Sequence, residues 1–386
     1  MRRRSRIALS LAAVGAGAAF VYLVTAMSSA TSGPLAAGLA RAGAMVGSIE
    51  NRARTRLRGP GRAAGLAWLD RTDISILKSP NEILLGAYDG RLPVSLDGIF
   101  DLESRIGTTL PVIQLYSAWG DDAVHQFPLV MSNAIWDMGS VPMITWEPWL
   151  TEFDGRRHTH LPLREARDSH GMGAIARGDY DFYIDDWARA AARFAKPVYL
   201  RFAHEMNDPY RYPWGPQNNT KEEYMGGWRR VVTRFRAAGA ANVIWIWSPH
   251  VAYEYWDLYY PGSGTVDWVA TGVLNFGPIA QWSKWWTFDE IFGAKYEKLA
   301  SFQKPIMIAE FGSLAVGGNR AEWYSGALAT LPQKYPAVKS LLFFETGSDQ
   351  TVTYQKVDWR IAVDTLTAGA VASAIGPWAP PRKETR

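Results

Sequence analysis

The chain has 386 residues, of which 48% are hydrophobic, and it contains no cysteine. Disulfide bonds and thiolate metal sites are therefore excluded, while the length allows one large barrel domain with loop insertions. The net charge of +4 is uneven, because residues 1–62 carry ten arginines and one acid, which leaves 31 basic and 36 acidic residues in the remainder. The basic isoelectric point therefore reflects the N-terminal segment, and we predict no nucleic-acid partner for the folded domain.

The N-terminus combines an arginine cluster, residues 2–6, with the uncharged run Ile7–Met27. At a rise of about 1.5 Å per residue, this run is long enough to cross the hydrocarbon layer of a membrane. The positive flank predicts that the remainder of the chain lies outside the cytoplasm. A cleaved signal peptide is the alternative, with a loose cleavage site at Ser28-Ser29-Ala30, and it would give a secreted protein.

Three regions follow from this pattern. Residues 1–27 are predicted to form a cytoplasmic basic flank and a transmembrane anchor or signal segment. Residues 28–62 are rich in Ala, Gly, Ser and Arg, and we predict a basic linker there. Residues 63–386 are predicted to be the folded domain, periplasmic or extracellular in location.

From Ala63 onward, apolar strands alternate with amphipathic helices, which is typical of a parallel α/β fold. One helix is predicted over Asp181–Phe194, and another follows a capping box at Thr220–Glu223 and ends at Gly239. Eight strands alternating in this way predict a (β/α)8 TIM barrel. The predicted strands are Ile83–Tyr88, Val112–Tyr116, Met143–Trp146, Val198–Ala203, Val243–Trp247, Trp268–Leu274, Ile306–Ala309 and Leu341–Phe344.

Two of these strands end in a glutamate. The run Pro197–Asn207, PVYLRFAHEMN, carries Glu205 at its end, and the run Pro305–Gly312 carries Glu310. The carboxyl ends of barrel strands share one mouth, where α/β barrels hold their chemistry. A retaining glycosidase needs two carboxyl groups about 5 to 5.5 Å apart. A strand-end glutamate on its own is more often a partner in an ion pair.

Several other residues allow two interpretations. The 18 tryptophans fit sugar platforms or ordinary core packing. Arg201 fits either a residue that lowers the pKa of a nearby carboxyl group or a partner for a buried acid, and we favour the second. Glu147 and Glu345 fit substrate contacts or ion-pair members, and for Glu345 we favour the ion pair. A metal site formed by His158, His160 and His170 is less favoured than a solvated loop.

The segment Arg201–Asn207 is followed by Tyr212-Pro213-Trp214-Gly215. Together these segments resemble the signature of family 26 glycoside hydrolases, the group of β-mannanases and β-glucanases. The resemblance covers about residues 80–345, through the further segments Ile144–Pro148, Asn242–Pro249, Tyr260–Gly262, Val266–Val269 and Ile308–Gly312. That family consists of retaining (β/α)8 enzymes, so the resemblance implies the same fold and reaction class here.

The resemblance implies Glu205 as the acid/base on the fourth strand and Glu310 as the nucleophile on the seventh. It also implies that His204 and Trp214 lie at the sugar near the cleavage point. The remaining predicted substrate contacts are strand-end residues, for one of which, His250, a structural hydrogen bond is an equal alternative. They are Trp146, Trp247, His250 and Asn275. No metal and no cofactor is implied.

Two positions depart from the family pattern. Members often carry a tyrosine late in the sixth strand, near the nucleophile, where this chain has Leu274, which cannot donate a hydrogen bond to a carboxylate. The eighth strand, which ends at Glu345, lacks the tryptophan expected of typical mannanases. The choice between a β-mannan and a β-glucan backbone therefore stays open.

These observations predict a membrane-anchored hydrolase that cleaves a β-linked polysaccharide with retention. Its partners would be the polysaccharide and the membrane. Leu274 and the predicted anchor motivate an alternative, which is a weakly catalytic polysaccharide-binding or transglycosylating component of an exopolysaccharide synthesis or export system.

Overall fold

The computed structural model describes residues 61–350, 353 and 355–378. Eight parallel strands form a closed barrel in which each strand pairs with the next and the last pairs with the first, so the predicted TIM barrel is confirmed. The strands are β1 (Leu84–Asp89), β2 (Val112–Ala118), β3 (Val141–Glu147), β4 (Val198–Phe202), β5 (Val243–Trp247), β6 (Trp268–Asn275), β7 (Ile306–Ser313) and β8 (Val338–Glu345).

Helices lie between the strands of the barrel, and the two that the sequence predicted are present. The α-helices whose two ends both lie within the described residues are α1 (Ile74–Lys78), α2 (Asp97–Ile106), α3 (Leu129–Asp137), α4 (Gly171–Arg177), α5 (Asp181–Phe194), α6 (Lys221–Ala237), α7 (Trp256–Tyr259), α8 (Ala294–Ala300), α9 (Arg320–Lys334) and α10 (Thr365–Ile375). The capping box before α6 is confirmed, because Thr220 and Glu223 each accept a hydrogen bond from the backbone nitrogen of the other.

Side-chain alternation along the strands divides the core into two layers. On β4, Val198, Leu200 and Phe202 belong to the large cluster that includes the helices, while Tyr199 belongs to the cluster inside the barrel. Tyr199 Oη donates to the backbone oxygen of Leu77 in α1 at 2.8 Å. The same alternation directs Arg201, two residues after Tyr199, towards the barrel interior.

β7 departs from this alternation at the position that matters for the site. Thr271 on β6 pairs with Ile308 on β7, and the next β6 residue, Gly272, pairs with Glu310. Ala309 is therefore an extra residue in the register of β7. Phe311 then packs in the outer layer, as Ile308 does. The bulge therefore lets Glu310 share the inward side with Ala309, although strict alternation would direct it outward.

The N-terminal predictions fall mostly outside the described residues. The predicted transmembrane run Ile7–Met27 lies there, and among the residues that are described no helix is long and apolar enough to cross a membrane. Arg62, the last residue of the predicted linker, is described and is buried. Its Nε donates to Glu103 Oε2 at 2.9 Å and its Nη1 donates to the backbone oxygen of Met138 at 2.8 Å.

Candidate active site

Glu310 is a buried carboxylate held by two donors. Tyr116 Oη donates to Glu310 Oε1 at 2.6 Å, and Arg201 Nη2 donates to the same oxygen at 2.6 Å. Burial alone raises the pKa of Glu310, but the charge of Arg201 and the hydrogen bond from Tyr116 outweigh it, so the pKa lies below its usual value. The site thus keeps Glu310 ionised, which is the form that a nucleophile requires.

Arg201 connects this carboxylate to the barrel. It is fully buried, and its Nε donates to Thr145 Oγ1 at 2.9 Å while its Nη2 also lies 3.1 Å from Tyr116 Oη. Burial opposes its charge, but the nearby Tyr116 and Glu310 raise its pKa further above the ordinary value. The favoured interpretation, a pair with a buried acid, is correct, and the same pair lowers the pKa of Glu310.

Glu205 lies beyond the end of β4, in a backbone segment that leaves the extended conformation. Ala203 and Glu205 have φ angles of 43° and 54°, which side-chain-bearing residues seldom adopt. The nitrogen of Glu205 donates to the backbone oxygen of Ser248 at 2.7 Å, which ties this turn to the end of β5. Its carboxylate is 3.2 Å from Arg211 Nη1 and 3.9 Å from His250 Nε2.

The two glutamates meet beside Gly272 on β6. The point where a Cβ atom of Gly272 would lie is 3.7 Å from Glu310 Oε2 and 3.9 Å from Glu205 Oε1. These two oxygens are consequently no more than about 8 Å apart. The fold therefore brings together two buried carboxyl groups that are 105 residues apart in the sequence. Gly272, which has no side chain, lies beside both of them.

His204, Tyr212 and Trp214 form one aromatic group beside Glu205. The ring of Tyr212 stacks on Trp214 with centroids 4.5 Å apart, and Tyr212 Oη is 3.1 Å from His204 Nε2. Burial, together with the charges of Arg201 and Arg211, lowers the pKa of His204 well below its usual value, so the ring is neutral. Trp214 is 2% exposed and donates to the backbone oxygen of His204 at 2.6 Å, which fixes this loop.

Glu147 at the end of β3 is a third carboxyl group in the mouth. Its Oε1 is 4.0 Å from His204 Nε2, and its Oε2 accepts a hydrogen bond from the indole of Trp149 at 3.1 Å. Burial raises the pKa of Glu147 to about 7. Glu345, by contrast, accepts backbone hydrogen bonds from Ile361 (2.7 Å) and Ala362 (3.3 Å).

His250 is the second predicted contact that reaches the carboxylates. Its Nδ1 accepts from the backbone nitrogen of Ala252 at 3.1 Å, so in the neutral ring the proton is on Nε2, the atom nearest Glu205. Its backbone nitrogen donates to Asn207 Oδ1 at 2.7 Å. His250 therefore makes structural hydrogen bonds and also lies beside Glu205, the candidate acid/base.

Three other predicted contacts are placed elsewhere. Trp146 is fully buried and packs against Trp119 and Trp187, and Trp247 is fully buried and packs against Tyr260 and Phe302. Strand alternation explains both positions, because these rings belong to the outer core between strands and helices.

Asn275 is also fully buried. Its side-chain amide donates to Ser313 Oγ at 3.0 Å, and its Oδ1 accepts from the nitrogens of Gly277 and Trp286, each at 3.2 Å. These contacts brace the loop after β6. The structure therefore does not bring Trp146, Trp247 or Asn275 to the carboxylates.

Two residues of the site were not identified from the sequence. Tyr116 supplies the hydroxyl that Leu274 cannot supply, from β2 instead of β6, while Leu274 packs beside the cluster of Phe276 and Trp359. Arg211 lies six residues after Glu205 and pairs with it. The position of Tyr116 at a strand end was the available signal, whereas the loop around Arg211 carries no periodic pattern.

Metal-ligand atoms converge at one place among the described residues. Glu205, Asp208 and His250 each offer one such atom within 4.8 Å of the others. The guanidinium of Arg211 already contacts Glu205 there, and its positive charge opposes a cation. The predicted loop histidines have separate partners, since His158 pairs with Asp121, His170 pairs with Glu223, and His160 contacts the backbone oxygen of Asp179.

Residues 177–313 match the family model described as Glycosyl hydrolase family 26, a segment that contains both Glu205 and Glu310. Endoglucanase H of Acetivibrio thermocellus is 31% identical over 302 residues, which is 76% of this chain and 30% of that protein. Mannan endo-1,4-beta-mannosidase A and B of Caldalkalibacillus mannanilyticus is 27% identical over 146 residues, 36% of this chain and 26% of that protein. The chain thus spans less than a third of the length of either relative.

Solved structures share the barrel. The structure called GH26C, from a Muricauda species, has a TM-score of 0.57 at 17% identity and covers 79% of this chain and 87% of its own. A GH26 beta-mannanase from Bacteroides ovatus has a TM-score of 0.55 at 18% identity, with 82% and 94% of the two chains covered. At these identities the likeness establishes the common fold.

Proposed function

Because the chain belongs to glycosyl hydrolase family 26, we propose that it is a retaining glycoside hydrolase that cleaves a β-linked polysaccharide. The observation that carries the proposal is the pair of buried carboxyl groups, Glu205 and Glu310, in one barrel mouth. Between the two backbones considered, β-glucan is the first substrate to test, because the 302-residue match is to an endoglucanase, and β-mannan is the second.

In the first step, ionised Glu310 attacks the anomeric carbon while Glu205, in its protonated form, donates its proton to the oxygen that leaves. This forms an ester between the sugar and Glu310 and breaks the glycosidic bond. In the second step, Glu205 removes a proton from water, whose oxygen attacks the anomeric carbon and releases Glu310. Two displacements retain the anomeric configuration.

Tyr116 and Arg201 stabilise Glu310 both as the attacking group and as the departing carboxylate. The neutral ring of His204 and the third carboxyl group, Glu147, line the same mouth and are suited to hydrogen bonds with sugar hydroxyl groups. Neither residue needs a metal or a cofactor for these tasks. The alternative of a weakly catalytic component of an export system finds no support in the comparisons, and we do not propose it.

The test is reducing-sugar release from β-glucan and β-mannan by the full chain, with the anomeric configuration of the first product followed by NMR. Glu310→Ala is expected to remove nearly all turnover, and azide is expected to restore it with an inverted product. Azide with Glu205→Ala is expected to give a retained product, because the ester at Glu310 still forms. Glu165→Gln, at an exposed position, is the control. The same product configuration from both rescues would overturn the assignment of roles.

The location of the enzyme is a separate part of the proposal. The arginine cluster and the apolar run Ile7–Met27 support a domain held at the outer face of the membrane. A polysaccharide substrate outside the cell is consistent with that location.

A further inference from the structure

Gly272 on β6 lies beside the oxygen that is free to react. Beyond its neighbours in the chain, the atoms nearest to the point where its Cβ atom would lie are Glu310 Cβ and Oε2, each at 3.7 Å, and Glu205 Oε1, at 3.9 Å. Tyr116 and Arg201 both donate to the other oxygen of Glu310, Oε1. Oε2 is therefore the oxygen that can attack a sugar, and a side chain at position 272 would extend towards it.

The line from Glu205, after β4, to Glu310, on β7, divides the mouth of the barrel into two sides. β5 and β6 lie on one side of this line, and β1, β2, β3 and β8 lie on the other. Glu147 Oε1, after β3, is 4.0 Å from His204 Nε2, and the ring centroids of His204 and Tyr116 are 6.3 Å apart. The polar groups that suit sugar hydroxyl groups thus gather on the β2–β3 side, away from β6.

β6 presents apolar surface to the mouth instead. Gly272 has no side chain, and Leu274, which shares its direction on the strand, packs beside Phe276 and Trp359. Ala270, two residues earlier, belongs to the apolar cluster inside the barrel. Gly272 is half-buried, so its backbone is part of the surface of the mouth. β6 therefore forms an apolar wall with a gap at the position of the missing side chain.

A sugar ring has two unlike edges on either side of its anomeric carbon. One edge carries the hydroxyl groups of C2 and C3, and the other carries the ring oxygen and C5. The first edge fits the polar side formed by His204 and Glu147, because each hydroxyl group needs a partner when it leaves water. This orientation turns C5 towards Gly272. In a hexose C5 carries a hydroxymethyl group, whereas in a pentose such as xylose it carries only hydrogen.

From this geometry we infer that Gly272 determines the size of the reacting sugar, since its missing side chain leaves room for the hydroxymethyl group of a hexose. The inference rests on the proposed function and adds a steric determinant of the substrate class. A pentose in the same place would leave this space empty. A methyl group at position 272 should therefore obstruct a hexose and spare a pentose.

Gly272→Ala is a mild change for the fold itself. The φ angle of Gly272 is not positive, and the new Cβ atom would meet its neighbours at ordinary contact distances of 3.7 Å or more. The obstruction arises only when a hexose is bound. One methyl group of misfit in a binding pocket changes kcat/KM by about 10- to 200-fold.

The experiment compares kcat/KM of the full chain on 2,4-dinitrophenyl β-cellobioside and on the same compound with xylose as the reacting ring. If β-mannan is the better polysaccharide, mannose and lyxose replace glucose and xylose. Gly272→Ala is expected to lower the value for the hexose at least about 10-fold and that for the pentose less than about 3-fold. The ratio of the two values is the readout, because a partly unfolded preparation lowers both alike. Gly264→Ala, in the loop before β6, is the control, since a Cβ atom there would meet nothing within 4 Å.

An unchanged ratio in Gly272→Ala would overturn the inference. If the unaltered protein cleaves the pentose glycoside too slowly to measure, the ratio is taken from the inhibition constants of two disaccharide isofagomines, one with and one without the hydroxymethyl group on the reacting ring. An unchanged ratio in an enzyme that cleaves the polysaccharide would reject the role of Gly272 alone. A protein that cleaves neither polysaccharide nor glycoside would reject the proposed function, and the inference with it.

Discussion

At the scale of single residues, Tyr116 offers the most selective change in the site. Tyr116→Phe removes the hydroxyl that donates to Glu310 and keeps the ring, which packs edge-to-face on Tyr88. Because this hydrogen bond helps to lower the pKa of Glu310, its loss should raise that pKa and move the acidic limb of the kcat/KM profile to higher pH. Turnover should also fall about 10- to 100-fold, since a hydrogen bond to a charged group is lost.

Tyr88→Phe is the control for this experiment, because it removes a neighbouring hydroxyl group and keeps the same ring packing. Its acidic limb should stay with that of the unaltered protein. An acidic limb that does not move in Tyr116→Phe would mean that Arg201 alone sets the ionisation of Glu310.

The raised pKa of Glu147 leads to a prediction about stability rather than catalysis. Burial raises its pKa from 4.5 to about 7, so the folded protein keeps a proton that the unfolded chain releases. Between these values the native state binds more protons, and stability should fall as the pH rises, by up to about 1.4 kcal/mol per pH unit. Glu147→Gln should therefore flatten the pH dependence of the free energy of unfolding in this window, as measured by urea denaturation.

The exposed change Glu165→Gln should leave that slope as it is. Glu345, whose pKa burial also raises to about 7, contributes a slope of the same sign and remains in both variants. A Glu147→Gln protein with the full slope of the unaltered protein would show that Glu147 loses its proton as easily in the folded state as in the unfolded chain.

The residues of the site differ in how far the sequence could reveal them. Glu205 and Glu310 follow apolar runs, so their places at strand ends were accessible from pattern alone, as was the inward direction of Arg201 on β4. The inward direction of Glu310 was not, because it depends on the bulge in β7. Tyr116 and Glu310 are 194 residues apart, and no local pattern states that they touch. Trp146 and Trp247 lie near strand ends, as the site residues do. Strand alternation nevertheless directs both side chains into the outer core between strands and helices.

At the scale of elements, the order of strands was predictable and the register was not. β5 has the predicted bounds Val243–Trp247, while β7 continues past the predicted end at Ala309 to Ser313. The bulge at Ala309 depends on how β7 pairs with β6 and β8, and a single strand's sequence carries no such information. Without that bulge, alternation would direct Glu310 out of the mouth.

The capping box of α6 is an element-scale feature whose contribution can be measured. Thr220 accepts from the backbone nitrogen of Glu223 at 3.2 Å, and Glu223 also pairs with His170 at 2.8 Å. Thr220→Ala should lower the free energy of unfolding by about 1 kcal/mol, because it leaves a helix N-terminal donor without its partner. Thr220→Ser keeps the acceptor and should stay close to the unaltered protein in urea denaturation, whereas equal losses in both variants would assign the effect to the lost methyl group.

At the scale of the whole molecule, the signal for the barrel fold and the signal for the membrane topology lie in separate parts of the chain. The βα alternation after residue 63 predicted a closed barrel because eight βα units are the number that forms one (β/α)8 ring. Arg62 pairs with Glu103, so the folded part begins slightly before that boundary. The sequence did not distinguish Arg62 from the arginines that precede it, because all carry the same charge. The predicted membrane topology depends on residues 2–27 alone, which lie outside the described residues.

The topology can be tested directly by fusing alkaline phosphatase, which is active only outside the cytoplasm, to the C-terminus of the full chain. The arginine cluster should hold the N-terminus inside while Ile7–Met27 crosses the membrane, so the fusion should be active. Deletion of residues 7–27 is the control and should abolish phosphatase activity without loss of expression. Retention of the fusion in the membrane pellet after alkaline carbonate washing would support an anchor, and release as a shortened soluble protein would support a cleaved signal peptide. An expressed full-length fusion that is inactive would place the domain in the cytoplasm and would contradict the predicted topology.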